Sequence, residues 1–269
     1  MLKIENVVTP SPEQWKAIIM GTRNPMNSWG RSDSFCDPVT DNCNDCPDRG
    51  KCAYIFEQDG KPYRSKIGPN DQDLMMRLTK GGPVHAKYRR MITVYVTITA
   101  PLYWWKEFDT YRVGVAPNPT DIEMNSCSTM HKIHAKEFTL EDFSHEHLFG
   151  PDDMLKYDER SDITKDNALA AVNVDGNWCY FTPQGYVQMT CNILNHYREK
   201  YLETKDKKYW WQMIQLLPSS YNQKRTVMLN YEVLAGIYPS RKDHKLSEWV
   251  DFCKWIETLP YSELVTGKE

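Results

Sequence analysis

The pattern of apolar and polar positions predicts one clear strand and a largely helical C-terminal half. Between residues 91 and 99, apolar side chains alternate with Thr and Tyr, which is the period-two pattern of a half-buried strand. Pro101 ends this strand, and the aromatic segment 103–108 behind it predicts a helix. From Pro183 onward, apolar spacings of three and four predict helices at about 184–204, 206–216, 222–238 and 244–257.

Capping and breaking residues predict further helices in the N-terminal half. Ser11 followed by Pro12 is typical of a helix start and predicts a helix over 11–21. A second helix is predicted to begin at Asn70 or Asp71 and to stop at Gly81-Gly82-Pro83. A short helix is expected over 139–147. Residues 22–69 are rich in Asn, Asp, Pro, Gly and Ser and predict irregular structure.

These elements together predict an α+β fold, in which a mostly helical domain carries a small antiparallel sheet. We place this domain at residues 70–269. Residues 1–69 are expected to form an N-terminal helix plus a Cys-rich loop region that packs on the main domain. The chain contains no internal repeat that would indicate a solenoid.

Composition and charge narrow the functional classes. The chain has 269 residues, of which 41% are hydrophobic and 26% charged, as is usual for a soluble globular protein. The net charge of −3 argues against a large nucleic-acid interface, which needs a concentrated basic face. No apolar run predicts a membrane span, and the start lacks the apolar core of a signal peptide. We therefore expect a cytoplasmic protein with mostly reduced cysteines.

Four of the 8 cysteines lie close together in the irregular N-terminal loop. Thiolates at this spacing suit tetrahedral zinc, and a polar loop of this kind needs a cross-link to become ordered. The sequence predicts a structural metal site, with an iron–sulfur cluster or unbound reduced cysteines as the alternatives. The four residues are Cys36, Cys43, Cys46 and Cys52.

Two sets of polar landmarks stand out in the rest of the chain. Leu217-Pro218 is followed by Asn230 after twelve positions and by Arg241 after eleven more. Upstream, Asn125 and Ser128 form an Asn-x-x-Ser motif. Each landmark also has a purely structural interpretation: Arg241 as a solvated loop residue, Asn230 as a polar core residue, and Ser128 as a helix cap.

The order and spacing of these landmarks resemble the flavin-dependent thymidylate synthases over roughly residues 70–257. Gly82 and His85 precede the strand at the distance seen in that family, and the segment 101–112 corresponds to its flavin-contacting helix. Several motif residues differ. Tyr88-Arg89 stands where the family has Glu-His, Thr110-Tyr111-Arg112 where it has Arg-His-Arg, Met130 where it has Arg, and Ser247 where it has Gln.

The resemblance implies a homotetramer with FAD at subunit interfaces. It also implies reductive C5 methylation of dUMP or a related pyrimidine deoxynucleotide, with methylenetetrahydrofolate as carbon donor and NADPH as electron source. By the same resemblance, Ser128 and Arg241 are the candidate catalytic residues. The candidate substrate-binding residues are Arg112, Asn125, Ser128, Asn230 and Arg241. The candidate cofactor-binding residues are Arg112, Asn230 and Arg89, with Trp104, Trp105 and Tyr111 as flat neighbours of the flavin.

The altered Arg-His-Arg segment leaves two alternatives open. The chain is either an enzyme of this kind or a non-catalytic nucleotide-binding or interaction protein that kept the fold. A third possibility is a pyrimidine hydroxymethylase, which makes a different product from the same substrates.

Overall fold

The computed structural model describes residues 1–34, 54–58, 61–65, 67–112, 123–150, 170–174 and 177–268. In these ranges the strands are β1 Lys3–Val8, β2 Tyr54–Gln58, β3 Lys61–Ser65, β4 Thr93–Pro101, β5 Glu123–Ser126, β6 Ala170–Val174, β7 Asn177–Phe181 and β8 Asn222–Asn230. The helices are α1 Pro12–Arg23, α2 Pro69–Lys80, α3 Leu102–Phe108, α4 Pro183–Thr204, α5 Lys207–Leu216, α6 Tyr231–Arg241, α7 Ser247–Glu257 and α8 Glu263–Thr266.

Helix α1 begins as the sequence predicts. The Ser11 side chain accepts a hydrogen bond from the backbone N–H of Gln14, whose own side chain accepts from the Ser11 backbone N–H at 2.7 Å. This reciprocal arrangement is a capping box, which satisfies two N–H groups that the first turn leaves unpaired. Pro12 occupies the first helical position, where its missing N–H does no harm.

A four-stranded antiparallel sheet with the strand order β1-β4-β8-β5 is the main β structure. Strand β4 confirms the predicted alternation, because Val94 and Val96 are fully buried whereas Tyr95 is 48% exposed. The turn from β4 into α3 also confirms the prediction at Pro101. The α+β fold class is therefore confirmed, with helices dominating and a small four-stranded antiparallel sheet.

The prediction of a single helix over 222–238 is wrong. Residues 222–230 form strand β8, and helix α6 begins only at Tyr231. The strand buries Val227 and Leu229, which are two positions apart, and it lies between β4 and β5 in the sheet. Pairing with strands that are distant in sequence stabilises this conformation over the helix that local spacing suggested.

The prediction of a helix over 139–147 is also wrong, since only Leu140–Asp142 forms a 3-10 turn there. Residue Asp142 accepts a hydrogen bond from the Thr139 backbone N–H at 2.9 Å, and Phe143 is already extended. Two hairpins were not anticipated by the sequence: β2 pairs with β3, and β6 pairs with β7, both antiparallel.

The chain forms two compact units, each assembled from segments that are separate in sequence. The first unit comprises Met1–Lys3, Ile98–Glu107 and Ser126–Arg225. Within it, α4 and α5 pack as a hairpin joined by Lys205, whose φ is 57°, and by Asp206, which caps α5. Its buried cluster consists of Ile133, Phe138, Phe143, Val187, Cys191, Leu194 and Met213.

The second unit comprises Ile4–Thr97, Phe108–Asn125 and Thr226–Glu269. Trp15 on α1 packs edge-on against Tyr231 at 6.4 Å and Tyr261 at 5.2 Å between ring centroids. On α7, Trp249 stacks with Phe108 at 6.3 Å. These rings fill the core around α6 through apolar burial and edge contacts.

A buried ion pair ties α1 to α2 in the second unit. The side chains of Arg23 and Asp71 are 4% and 1% exposed and are joined by a hydrogen bond from Arg23 Nε. The other Asp71 oxygen accepts from the Ser32 hydroxyl at 2.8 Å and from the backbone N–H groups of Asp33 and Ser34. The Asp71 carboxylate therefore fixes the loop that follows α1 in the sequence.

No helix in the described ranges is long and apolar enough to cross a membrane. The predicted domain division at residue 69 stays a prediction. The four cysteines of the predicted metal site lie outside the described residues, and no group of three or more His, Cys, Asp or Glu side chains within them is arranged to hold a metal ion.

Candidate functional site

The C-terminal end of α6 carries an arginine that aromatic side chains hold in place. Arg241 Nε donates a hydrogen bond to the Tyr111 hydroxyl at 2.7 Å. Its guanidinium carbon lies 4.6 Å from the ring centroid of Trp249 and 5.5 Å from that of Tyr111. A guanidinium over an indole face gains cation–π attraction, and more when desolvated. Arg241 is therefore oriented by the core rather than extended into solvent as a loop residue.

His244 completes this cluster. Its Nε2 lies 2.9 Å from Arg241 Nη1, and its Nδ1 lies 3.2 Å from the backbone N–H of Leu246. A neutral imidazole has one acceptor nitrogen, so only one of these two contacts is a hydrogen bond at a time. To this cluster the guanidinium contributes donors alone. An oxygen-bearing group of a ligand, such as a carbonyl edge or an anion, matches the donors of a fixed guanidinium.

The N-terminal end of α6 carries a second set of predicted residues. The Asn230 side chain, 6% exposed, caps the helix by accepting a hydrogen bond from the Val233 N–H at 3.0 Å. In the first turn, Glu232 lies 3.6 Å from Arg89 Nη1, and both side chains are about nine-tenths buried. Asn230 therefore has a structural role as an N-cap, which the helical interpretation of 222–238 did not anticipate.

The arginines beside this helix start contain unsatisfied polar atoms. Arg89 Nε, Arg90 Nε and Glu232 Oε2 are buried and have no hydrogen-bond partner within the described ranges. Buried donors of this kind are rare and need an explanation. Each of the two Nε atoms carries an N–H donor that no described residue satisfies.

The two ends of α6 are separate places. The helix has 11 residues, which corresponds to a length of about 16 Å at 1.5 Å per residue. The structure thus brings Arg89 to the end of the helix that Asn230 caps, and Arg241 to Tyr111, the neighbour of Arg112. It does not bring Asn230 and Arg241 together within one chain.

The remaining candidates lie on the surface or outside the described part. Asn125 and Ser128 are both exposed. The Ser128 hydroxyl accepts weak hydrogen bonds from the backbone N–H groups of Met130 at 3.3 Å and Lys132 at 3.4 Å, so it opens a turn. Nothing is described of the Arg112 side chain. The assignment of all these residues to a site stays a prediction.

Two of the proposed flavin neighbours belong to the core instead. Trp104 and Trp105 are fully buried, and Trp105 Nε1 donates to the Gln223 carbonyl oxygen at 2.9 Å.

Sequence reasoning missed Trp249 and His244 as partners of Arg241, and it missed Gln223 and Arg225 on β8. The period-two pattern of residues 222–230 is the signal that could have found Gln223 and Arg225, because it places them on one face of a strand.

The fold has counterparts among solved structures. The flavin-dependent thymidylate synthase ThyX from Helicobacter pylori, in complex with FAD and dUMP, superposes with a TM-score of 0.52 at 14% identity, covering 98% of this chain and 96% of that one. A second structure of that enzyme with FAD and dUMP has a TM-score of 0.52 at 13% identity, covering 98% and 95%. No protein-family model and no curated protein sequence matches the chain. The chain thus has the fold that the sequence resemblance implied.

Proposed function

We propose that this chain, which has the fold of the flavin-dependent thymidylate synthases, is an FAD-dependent enzyme that acts on a pyrimidine deoxynucleotide. The observation that carries this proposal is the arginine cluster at the end of α6. Arg241 is fixed by Tyr111 and Trp249, and a fixed guanidinium binds an oxygen-rich ligand with little further loss of conformational entropy. The FAD and dUMP held by the H. pylori protein of this fold support the choice of ligands.

We assign the pyrimidine nucleotide to Arg241 together with Arg112, Asn125, Ser128 and Asn230, as the sequence resemblance implies. Tyr111 joins this set, since its hydroxyl accepts from Arg241 Nε. Arg241 and Ser128 are the proposed catalytic residues, in the sense that their donors hold and polarise the nucleotide. No general base is assigned to Ser128, and a covalent serine intermediate is not part of the proposal.

The residues near the N-terminal end of α6 fit FAD. Its pyrophosphate carries negative charge and needs donors. The buried Nε atoms of Arg89 and Arg90, which have no hydrogen-bond partner within the described residues, are donors of the required kind. Glu232 already offsets part of the Arg89 charge. When bound, FAD would supply the hydride chemistry; Arg89, Asn230 and Arg112 are the residues we assign to holding it.

The proposed reaction replaces the C5–H bond of dUMP by a C5–CH3 bond. Methylenetetrahydrofolate donates the carbon, and its two nitrogens take up two protons as their bonds to that carbon break, so that it leaves as tetrahydrofolate. A hydride originating from NADPH, which becomes NADP⁺, reduces the transferred carbon, and the C5 proton is released to solvent. The protein holds the pyrimidine and excludes competing reactions, whereas the cofactors carry the redox chemistry.

A homotetramer forms part of the same proposal. Asn230 and Arg241 lie at opposite ends of α6, about 16 Å apart along the helix. One nucleotide bound by both residues would therefore need the two helix ends from different copies of the chain. This geometry supports a site built at an interface between subunits, as the sequence resemblance implies.

The first experiment is an absorbance spectrum of the purified protein from about 300 to 600 nm, followed by turnover of dUMP with NADPH and methylenetetrahydrofolate. Bound flavin and a product with the mass of dTMP support the proposal. A product heavier by one oxygen indicates hydroxymethylation instead. A protein that stays colourless with excess FAD but still binds dUMP is a nucleotide-binding relative without redox chemistry.

Arg241→Ala tests the residue that carries the proposal. Loss of a charge-assisted contact is expected to weaken dUMP binding by about 2–3 kcal/mol. The matched control is Lys242→Ala, which removes the neighbouring exposed cation that pairs only loosely with Asp243 at 3.7 Å. Equal dUMP affinity in the wild-type protein and the Arg241 variant would rule out this site.

A further inference from the structure

One face of helix α4 borders a cavity that lies within the first unit. Pro183, Tyr186, Val187 and Thr190 occupy positions i, i+3, i+4 and i+7 of the helix, and this spacing places them on one side of it. All four line the cavity, whose volume is about 340 Å³. Protein cavities that hold small organic molecules have volumes of roughly 300–1,000 Å³, so the size suits a small ligand.

Two loops of the same unit complete the wall of the cavity, one through Ser144 and Leu148 and the other through Ser220. The Ser144 N–H donates to the Ser220 carbonyl oxygen at 2.8 Å, which joins the two loops. The Gln184 N–H donates to the Phe149 carbonyl oxygen at 3.1 Å, which joins the first loop to α4. Backbone hydrogen bonds thus hold the walls together, and the cavity is preformed, as is usual for small-molecule sites.

The composition of the wall favours an uncharged ligand. Tyr186 is 54% and Leu148 is 37% exposed, although both line the cavity. Exposed apolar surface beside a concave site is typical of ligand-binding grooves. The lining residues include neither Lys nor Arg, so the wall offers no basic side chain that would pair with a phosphate or carboxylate.

A histidine supplies the cavity with an acceptor. His145 lines the cavity, and its Nδ1 lies 2.9 Å from the backbone carbonyl oxygen of Phe143. Because a carbonyl oxygen can only accept, Nδ1 carries the proton in this hydrogen bond. In the neutral ring Nε2 is then an acceptor. Among the residues that the structure describes, none forms a hydrogen bond with His145 Nε2.

The carboxylate beside this histidine is already engaged. Glu146 Oε2 accepts from the His145 backbone N–H at 2.9 Å and from the Ser144 hydroxyl at 3.1 Å. Its Oε1 pairs with the amino group of Met1. Both carboxylate oxygens therefore have partners, whereas His145 Nε2 is left to accept a hydrogen bond from a ligand.

We propose that this cavity binds a flat, uncharged ring compound whose edge carries an N–H or O–H donor. The donor bonds to His145 Nε2, and the ring packs against the apolar face of α4. The inference concerns a second site and does not rest on the proposed function, because no residue assigned to dUMP or FAD lines this cavity.

The first probe is indole, which has a flat apolar ring and one N–H donor. The second is 1-methylindole, which keeps the ring and lacks the donor. In calorimetric titrations we expect the wild-type protein to bind one indole per chain and to bind 1-methylindole about five- to tenfold more weakly, as for the loss of one neutral hydrogen bond. An excess of dUMP is expected to leave the affinity for indole unchanged.

His145→Phe keeps a flat ring at this position and removes the acceptor. We expect it to bind indole about five- to tenfold more weakly than the wild type does and to bind 1-methylindole equally well, so that the preference between the two probes disappears. His131→Phe is the matched control, since it makes the same change at an exposed residue that does not line the cavity. It should keep the preference for indole.

Ser220→Phe places a large side chain at the wall of the cavity and leaves His145 in place. We expect this variant to lose binding of both probes, because the ring occupies the space of the ligand. It also serves as the test if His145→Phe does not fold.

Four results would overturn the inference: no saturable binding of indole, equal affinity of the wild-type protein for the two probes, a preference for indole that persists in His145→Phe, or displacement of indole by dUMP. None of these results decides the proposed function, which turnover of dUMP tests separately.

Discussion

Arg241 Nε donates a hydrogen bond to the Tyr111 hydroxyl across 130 residues of sequence, at 2.7 Å. This contact joins the C-terminal end of α6 to the 3-10 turn Asp109–Arg112. It fixes the orientation of the guanidinium. The Tyr111 hydroxyl accepts this hydrogen bond, and a phenol also carries an O–H donor of its own.

The change Tyr111→Phe keeps the ring and removes the hydroxyl. Arg241 then loses an acceptor, and a ligand that accepts from the tyrosine loses a donor. We expect the dissociation constant of dUMP to rise about tenfold, as for loss of one hydrogen bond that involves a charged group. The measurement is calorimetric titration of the FAD-loaded protein. Tyr95→Phe, the same change at a 48% exposed residue of β4, should leave dUMP affinity unchanged, and a loss of equal size in both variants would contradict the prediction.

The change Asp71→Asn breaks the buried ion pair with Arg23. Removing one partner leaves an uncompensated buried charge and is expected to lower the free energy of unfolding by about 3–5 kcal/mol. Urea denaturation measures the effect. The control is Asp73→Asn on the same helix, whose partner Arg77 is 64% exposed; an exposed pair of this kind contributes under about 1 kcal/mol. Similar losses in the two variants would show that burial does not strengthen the Asp71 interaction.

The Asp71 carboxylate is also expected to cause part of the loss of stability at acidic pH. Burial raises the pKa of Asp71, but hydrogen bonds from Ser34 and Ser32 and the Arg23 guanidinium lower it more, so that the pKa lies below its ordinary value of 3.8. A group whose pKa is lowered by folding stabilises the protein above its unfolded pKa and ceases to do so as the pH falls through its folded pKa. The stability difference between wild type and Asp71→Asn should therefore be constant above about pH 5 and shrink below pH 3.8. A difference that shrinks already between neutral pH and pH 5 would assign the effect to another group.

Two substitutions of Asn230 separate its structural role as a helix cap from a role in ligand binding. Asn230→Ala removes the cap of α6 and is expected to lower the free energy of unfolding by about 1 kcal/mol. Asn230→Ser keeps a capping oxygen and should restore most of this stability. Flavin retention is measured on both variants. If the serine variant is stable but colourless, Asn230 also contacts the cofactor; if both variants are equally unstable, the cap is not the cause.

Three cysteines of the described residues should differ in reactivity. Burial raises the pKa of the Cys191 and Cys253 thiols to about 11, whereas Cys127 is exposed. Because the thiolate is the reactive species, iodoacetamide at about pH 8 should alkylate Cys127 and leave the other two intact in the native protein. Peptide mass mapping before and after denaturation measures this. Rapid native labelling of Cys191 would show that its helix opens readily.

The sequence predicted those parts of the fold that neighbouring residues decide. The helix start at Ser11 and the end of β4 at Pro101 depend on backbone groups within four residues, and they were found as expected. Helix α2 begins at Pro69, just before the predicted start at Asn70 or Asp71. Strand β8 was not predicted, because the apolar spacing of residues 222–238 also fits a helix. Only the strands beside it in the sheet make the extended conformation stable.

The candidate site also has features that the sequence indicated and others that depend on long-range packing. The order of Leu217-Pro218, Asn230 and Arg241 in the sequence was sufficient to indicate the fold and to mark Arg241. Apart from this order of landmarks, the sequence alone determined short-range features, because capping, alternation and turn formation depend on energies between near neighbours. Only the tertiary structure decided that Arg241 lies between Tyr111 and Trp249, and that Gln223 holds Arg225 beside Cys127. These are contacts between segments far apart in sequence, and their formation depends on the packing of the whole unit.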